Sequence, residues 1–282
     1  MHATRSRKHS KSWNPKLLIV IGSCALAWFI FSFTVPFLIR ANRGVIRAEI
    51  TRIQALPEAE QEGAYIRLLR ATGNDQEVSR ALADSYKAGG QYKRAGETYV
   101  AARPALRVEA AQAYIQGYDF SRAQEVLRDE KGRGADVQIL KTQATLNIEQ
   151  NTNICAEIRQ NAANTQSQRA KDLNQACEII QQKIIDQSGI YKLPTLGAPL
   201  QAKRLLESKT TKSSSDYLLL ATISYRQGDY SSMQNSLRAG LEATPYDRGY
   251  LTSATDLLTA TQGSDQELIA AIQKNLDILP SQ

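Results

Sequence analysis

The chain has 282 residues and a net charge of +7, with a sequence pI near 9.3. Residues 1–40 hold six of the 35 Lys and Arg and no acidic residue, which leaves 29 basic and 28 acidic side chains beyond residue 40, a net of +1. The basicity therefore belongs to the N-terminal tail, which excludes a basic groove that neutralises many nucleic-acid phosphates.

The first predicted element is an apolar segment. Leu17 to Ile39 form 23 consecutive residues without a charged side chain, between Lys16 and Arg40. As a helix they would be ~34 Å long, enough to cross a hydrocarbon core of ~30 Å. Residues 17–39 are therefore predicted to form a single transmembrane helix, preceded by a basic tail over residues 1–16.

The same segment allows two other interpretations. Ala25-Leu26-Ala27 has the pattern of a signal-peptide cleavage site, and Ile21-Gly22-Ser23-Cys24 resembles a bacterial lipobox, in which the cysteine carries lipid. Either event would leave about twelve largely apolar residues at or near the new N-terminus. A processed chain normally continues in polar sequence, so an uncleaved signal anchor is favoured.

The orientation of this anchor depends on the basic residues at its two ends. The tail before it has five Lys or Arg and no acid, which favours a cytoplasmic tail. The difference between the ends is small, because arginines also follow the segment: Arg40, Arg43, Arg47 and Arg52. We expect a cytoplasmic N-terminus, with the rest of the chain at the outer face of the cytoplasmic membrane, in the cell envelope.

Beyond residue 40 the sequence is typical of helices. Good helix formers predominate and few strand-like alternations occur. Residues 40–75 are predicted to form juxtamembrane helices, interrupted near Pro57. The fold class expected for the soluble part is all-α, whether its helices are repeats or form a generic helical domain.

A short pattern recurs along this helical part. Gly90-x-Tyr92-x-x-Ala95 returns as Gly228-x-Tyr230-x-x-Met233, and more loosely, with one extra residue, as Gly117-x-x-Phe120-x-x-Ala123. The apolar stretches that precede these copies contain Tyr86, Tyr114 and Tyr225. Such a recurrence indicates helix pairs joined by tight turns.

These residues resemble the tetratricopeptide (TPR) repeat. The best copy runs from Ser214 to Asp247 and matches the 34-residue pattern at Tyr217, Leu220, Ala221, Gly228, Tyr230, Leu237 and Pro245. It departs from the pattern at Ser224, Met233 and Gly240. An earlier copy matches at Leu82, Ala83, Tyr86, Gly90, Tyr92, Ala95, Tyr99 and Ala102. The resemblance implies degenerate repeats over residues 76–189 and a C-terminal repeat pair over 214–282, in a superhelix tethered to the membrane helix.

Between these repeats, residues 190–213 are predicted to form a loop or hinge. Pro194, Gly197 and Pro199 interrupt helical periodicity, and the run of Thr and Ser from Thr210 to Ser215 is typical of a loop. A short helix over Pro199 to Ser208 is the one regular element expected there.

The sequence lacks the usual residues of catalytic and metal sites. Both histidines, His2 and His9, lie in the tail, so histidine-based catalysis and histidine metal ligands are excluded beyond it. No phosphate-binding loop, nucleophile elbow or zinc-ligand pair of cysteines occurs. We therefore expect no enzyme, no cofactor, no metal and no small-molecule substrate.

Cys155 and Cys177 flank a polar turn between two predicted helices. In an antiparallel hairpin both lie within two or three helical turns of the connection, and a disulfide can form if their faces match. In a reducing compartment the same residues would be small buried thiols. A disulfide is therefore expected only if this part of the chain lies outside the cytoplasm.

The TPR resemblance implies a scaffold or adaptor that binds a protein or peptide on its concave face, held at the membrane as bacterial envelope TPR proteins are. By the family register, five residues would face that groove: Arg80, Asp84, Lys87, Thr222 and Arg226. The other interpretation of these side chains is ordinary solvated surface. The alternative function is a permanent structural subunit of a secretion, pilus or cell-wall complex.

Overall fold

The computed structural model describes residues 43–128, 130, 134–149, 153–165, 167–182, 185–261 and 265–280. These residues form fifteen helices and no β-strand, which confirms the predicted all-α class for this part of the chain. The predicted transmembrane segment, residues 17–39, and the tail before it lie outside the described residues. None of the fifteen helices combines the length and the apolar character that a bilayer span requires.

The helices divide between two compact units, the first ending at Ala81 and the second beginning at Leu82. The first unit contains α1 (Arg43–Gln54), α2 (Glu58–Thr72) and the first half of α3 (Gln76–Ala88). The second contains the rest of α3 and α4 to α9: Tyr92–Ala101, Arg107–Gln116, Phe120–Arg128, Ala135–Ile148, Ile154–Asn164 and Gln168–Ile180. It continues with α10 to α15: Gln187–Lys192, Pro199–Ser208, Ser214–Arg226, Tyr230–Ala243, Arg248–Thr259 and Gln266–Ile278.

The first unit is a helical hairpin followed by the start of α3. α1 buries Ile46 and Ile53, and α2 begins directly after Pro57. α2 ends at Gly73, whose φ of 69° is left-handed and whose N–H bonds to the carbonyl of Leu69. Such a C-terminal glycine reverses the chain without steric cost and leads it into α3.

Three turns of the second unit share one backbone geometry. A residue with left-handed φ stands in each: Gly90 at 73°, Tyr118 at 57° and Gly228 at 74°. The next N–H then bonds five residues back along the chain: Gln91 to Tyr86, Asp119 to Tyr114 and Asp229 to Ser224, at 2.8, 2.8 and 2.9 Å. This is the 6→1 bond that closes the end of a helix before a second helix begins.

This common geometry corrects the sequence alignment at two places. The middle copy has no extra residue, because Tyr118 and not Gly117 occupies the left-handed position. Ser224, not Tyr225, stands where the other copies have Tyr86 and Tyr114, since its carbonyl accepts the closing bond. The copies are therefore in register from the turn onward.

A fourth turn of the same kind lies in the segment predicted to be a loop or hinge. Gly197 has a φ of 84°, and the N–H of Ala198 bonds to the carbonyl of Leu193 at 2.8 Å. The turn joins α10 to α11, and Leu193, Ala202 and Leu206 are fully buried. Residues 190–213 are thus largely a packed helical hairpin. The helix expected over Pro199 to Ser208 is α11, and Pro199 occupies its first turn, where no hydrogen bond is lost. The difference from the expectation is that α10 and its turn extend into this segment and pair with α11.

Consecutive hairpins approach closely where a glycine meets a tyrosine. A Cβ on Gly96 of α4 would lie 2.6 Å from the ring of Tyr114 on α5. Gly240 of α13 is covered in the same way by the ring of Tyr250 on α14. The departure of Gly240 from the repeat pattern therefore has a steric reason, because any side chain there would displace the tyrosine.

One long-range connection departs from nearest-neighbour stacking. Arg204 of α11 donates to the carbonyls of Asn147 and Ile148 at the end of α7, at 2.8 and 2.7 Å. In return, the fully buried Asn147 side chain accepts from the N–H of Leu200 at 3.1 Å and donates to the carbonyl of Gly197 at 2.8 Å. Each helix end thus supplies partners for the other, which offsets the cost of burying these polar groups.

Candidate partner-binding site

Asp84 and Lys87, two of the predicted groove residues, lie one turn apart on α3. Lys87 Nζ is 3.6 Å from Asp84 Oδ1. The same carboxylate oxygen accepts a hydrogen bond of 2.6 Å from the buried phenol of Tyr99 on α4. Asp84 therefore joins the two helices of its own hairpin, while its side chain remains 56% exposed.

Thr222 and Arg226 lie one turn apart on α12, but their side chains behave differently. The hydroxyl of Thr222 donates to the carbonyl of Leu218 in the same helix at 2.8 Å. Arg226 reaches out of its helix instead. Thr222 is therefore used within the helix, and of these two side chains it is Arg226 that contacts another element.

Arg226 contacts the first residue of α4. Its Nη1 atom donates to the phenol oxygen of Tyr92 at 3.1 Å, and its guanidinium carbon lies 5.6 Å from the centroid of the same ring. Tyr92 in turn lies against the next turn, because a Cβ on Gly117 would be 2.8 Å from the Cβ of Tyr92. The second unit thus brings α12 next to a helix that is 134 residues earlier in the chain.

Tyr118 completes this group, which we call the turn cluster: Tyr92, Gly117, Tyr118 and Arg226. Burial raises the pKa of the Tyr118 phenol, and the positive charge of Arg226 acts in the opposite direction. The Tyr118 ring also stacks on Phe120, with centroids 6.2 Å apart. A bulky residue at left-handed φ is strained by about 1–3 kcal/mol, so the contacts of this ring hold the turn in place.

The fifth predicted residue, Arg80, belongs to the first unit. It is exposed and lies one turn after Glu77 on α3. The structure brings Asp84 to Lys87 and Arg226 to Tyr92.

The residues that the sequence interpretation missed are aromatic. Tyr92 and Tyr118 stand within or next to the recurring turns, and the register of the helices had assigned groove positions only to residues of α3 and α12. The available signal was the recurrence itself, since equivalent turns of stacked hairpins lie along one edge. The array brings an early turn and a late turn together, and this proximity depends on how the helices between them pack.

The turn cluster combines an arginine with two aromatic rings. An arginine over a tyrosine face can bind a carboxylate while the rings contact an apolar side chain. In the described part of the chain, no group of three or more His, Cys, Asp or Glu could hold a metal ion. The turn cluster thus has the groups needed to bind a carboxylate beside an apolar side chain.

Cys155 of α8 and Cys177 of α9 are joined by a disulfide, with Cα atoms 5.6 Å apart. Both side chains are buried, in a cluster that also contains Ile158, Leu173 and Ala176. The bridge joins the start of α8 to the end of α9, at the end of the hairpin away from its polar turn and on helix faces that match. Which compartment supplies the oxidant remains a prediction.

Comparison of the chain with protein-family models, with curated protein sequences and with solved structures finds no match. The packed helix pairs are consistent with a helical-repeat fold.

Proposed function

We propose that this chain is a membrane-anchored scaffold that binds a protein partner through TPR-like helical repeats. The observation that carries the proposal is the recurrence of one turn geometry at Gly90, Tyr118, Gly197 and Gly228. Repeated hairpins of this kind stack into arrays whose surfaces bind extended peptides or helices. The anchor in the proposal is the apolar segment over residues 17–39, and the domain lies outside the cytoplasm.

The binding residues in this proposal are those of the turn cluster. Arg226 and Tyr92 offer a cation and an aromatic edge at the same place, and the contact between them is exposed to solvent. A peptide with an acidic residue beside an apolar one would satisfy both. Because Arg226 already has a partner, binding exchanges one arginine contact for another, which suits a reversible adaptor.

A pull-down from detergent-solubilised membranes tests the proposal. Full-length chain is expected to recover a partner in sub-stoichiometric amount, and Arg226→Glu is expected to reduce the recovery because it reverses the charge that meets the peptide. Arg159→Glu is the matched control, since Arg159 is an exposed arginine on α8 whose contact is a hydrogen bond to Gln181. It should recover as much partner as the unmodified chain.

The same experiment separates the alternative. A permanent structural subunit would be recovered at fixed stoichiometry and would resist Arg226→Glu, because a large interface does not depend on one rim charge. Equal reduction by both variants would mean that overall charge, rather than the turn cluster, determines recovery. Either outcome would remove the turn cluster from the proposal.

A further inference from the structure

The first unit carries its charges at two opposite ends. A short turn over residues 55–57 joins α1 to α2, and the side chain of Gln61 on α2 donates to the carbonyl of Leu56 in this turn. The two helices pack together and run antiparallel. The end where α1 begins holds five arginines and two carboxylates: Arg43, Arg47, Arg67, Arg70 and Arg80 against Asp75 and Glu77. The other end holds one arginine and four glutamates: Arg52 against Glu49, Glu58, Glu60 and Glu62.

The basic end is organised around one carboxylate. Arg47 forms two hydrogen bonds to Glu77, of 3.2 Å from Nε and 2.9 Å from Nη2. Arg43 lies one turn before Arg47 on α1, and Arg80 lies one turn after Glu77 on α3, so both face the same region. The hydrogen bond from Arg47 lowers the pKa of Glu77, and the charges of Arg43 and Arg80 lower it further. The charges of three exposed guanidinium groups therefore act on one carboxylate.

This basic end is also the end that the chain connects to the apolar segment. Three residues separate Ile39 from Arg43. Four residue steps span at most about 14 Å, whatever their conformation. If residues 17–39 cross a bilayer, the first turn of α1 must lie within reach of the headgroup layer, which extends about 5–8 Å beyond the hydrocarbon core.

We propose that Arg43, Arg47 and Arg80 form a docking surface for anionic phospholipid headgroups, which holds the first unit against the membrane. The proposal rests on the membrane anchor of the proposed function. Lipid phosphates compete with Glu77 for the guanidinium groups, at an end of the unit where arginines outnumber carboxylates. The acidic end of the unit is repelled by the same surface, so the charge separation orients α1 and α2 with their basic end towards the bilayer.

The test uses the full-length chain in nanodiscs of phosphatidylcholine, with or without phosphatidylglycerol. Hydrogen exchange of the α1 amides is expected to slow about fivefold or more when phosphatidylglycerol is present, because docking opposes local opening of the helix. The triple variant Arg43→Gln, Arg47→Gln, Arg80→Gln should lose this difference. Arg52→Gln, which removes the arginine at the acidic end of the same helix, should keep it.

Two further arms keep the result interpretable. If the triple variant exchanges faster than the unmodified chain in phosphatidylcholine discs, its α1 has lost structure. In that case the variant Glu77→Gln tests the proposal. Removal of the central carboxylate should increase the slowing of α1 amide exchange by phosphatidylglycerol. Equal exchange in the two disc types, or equal slowing by inorganic phosphate with phosphatidylcholine discs, overturns the proposal and leaves the anchor intact. Extraction of the chain from membranes by alkaline carbonate overturns the anchor itself.

Discussion

Arg226 donates a hydrogen bond of 3.1 Å to the phenol oxygen of Tyr92, across 134 residues of sequence. The contact joins the end of α12 to the start of α4, so hairpins that are distant in the chain meet through their turns. A simple linear array, in which each hairpin contacts only its neighbours, would not contain this pair. The second unit is therefore more closed than repetition alone requires.

The Arg226–Tyr92 contact should appear as a small coupling energy. In urea unfolding of the chain from residue 41 onward, Arg226→Gln and Tyr92→Phe should be non-additive by about 0.5–1 kcal/mol, because Tyr92→Phe keeps the ring but removes the phenol oxygen that accepts from Arg226. Arg226→Gln combined with Tyr246→Phe is the control, because Tyr246 is an exposed residue in another loop. Additivity of the first pair would show that the contact contributes nothing in solution.

Replacement by leucine should destabilise the two buried alanines that follow the recurring turns, but not a surface alanine. Ala95 and Ala123 stand three residues after Tyr92 and Phe120, and both are fully buried. Ala95→Leu and Ala123→Leu are each expected to lower the free energy of unfolding by about 1–3 kcal/mol, since the added methyl groups have no space. Ala101→Leu, at an exposed position of the same helix as Ala95, should change it little. Unchanged urea midpoints for both buried sites would mean that the register is wrong.

Two glycines should respond to alanine for different physical reasons. Gly90 has a left-handed φ of 73°, but a Cβ there would meet nothing within 4 Å, so Gly90→Ala should cost about 1 kcal/mol of backbone strain. Gly96 is helical, and its Cβ would lie 2.6 Å from the Tyr114 ring. Gly96→Ala combined with Tyr114→Leu should therefore recover stability relative to Gly96→Ala alone, whereas Gly90→Ala should gain nothing from that second change. Calorimetric unfolding of the four variants measures this.

Much of this fold could be predicted from sequence because its determinants are local. Helix propensity and the Gly-x-Tyr-x-x-small pattern indicated the hairpins at Tyr92 and Tyr230, since a tight turn imposes residue types at fixed spacing. Tyr118 was missed because its strain is held by ring contacts that a sequence pattern does not contain. The helix α11 was expected from Pro199 to Ser208, but its pairing with α10 was missed, because Gly197 was interpreted as an interruption of the helices and instead forms the turn between them.

The binding residues were less predictable. The helical register placed Arg226 on an accessible face, but it did not indicate that Tyr92 lies opposite. Asp84 was expected to face a groove, and the hydrogen bond that its carboxylate accepts from Tyr99 was not predicted. Such pairings depend on how far the array turns over many helices, and small angles accumulate along it.

Asp216 should make stability depend on pH. Its side chain is fully buried and contacts Lys209 Nζ at 2.6 Å and the phenol of Tyr191 at 2.8 Å. Burial raises the pKa of Asp216, but hydrogen bonds from Lys209, Ser213 and Tyr191 together leave it below its usual value of 3.8. The folded protein therefore gains stability from the carboxylate above pH 3.8, and this gain is lost as the pH falls through the lowered pKa.

The corresponding variant is Asp216→Asn. At neutral pH it should lower the free energy of unfolding by about 2–3 kcal/mol, because Lys209 loses a charged partner in a part-buried site. The difference from the unmodified chain should shrink as the pH falls below 3.8. Asp256→Asn serves as a control at an exposed position of α14. A difference that stays constant down to the acid transition would contradict the assignment.

The last prediction links the disulfide to the location of the domain. Cys155 and Cys177 are 22 residues apart, and closing a loop of that size stabilises the folded chain by about 3 kcal/mol in the chain-entropy model. Outside the cytoplasm the pair meets an oxidising environment, so protein isolated without reductant should be bridged there. Thiol labelling under denaturing conditions, followed by peptide mapping, should find label at Cys24 alone. Reduction should lower the urea midpoint of the unmodified chain and leave that of Cys155→Ala, Cys177→Ala unchanged.

Label at Cys155 and Cys177 in native membranes would contradict the placement outside, because the described geometry lets the pair form wherever an oxidant is present. Protease added to intact cells, or to spheroplasts where an outer membrane is present, checks the placement independently. Digestion of the domain together with a bridged pair would agree with the expected orientation. Full protection of the domain with both thiols free would place it in the cytoplasm. In that case the orientation would have been determined by the basic residues after the anchor rather than by those of the tail: Arg40, Arg43, Arg47 and Arg52.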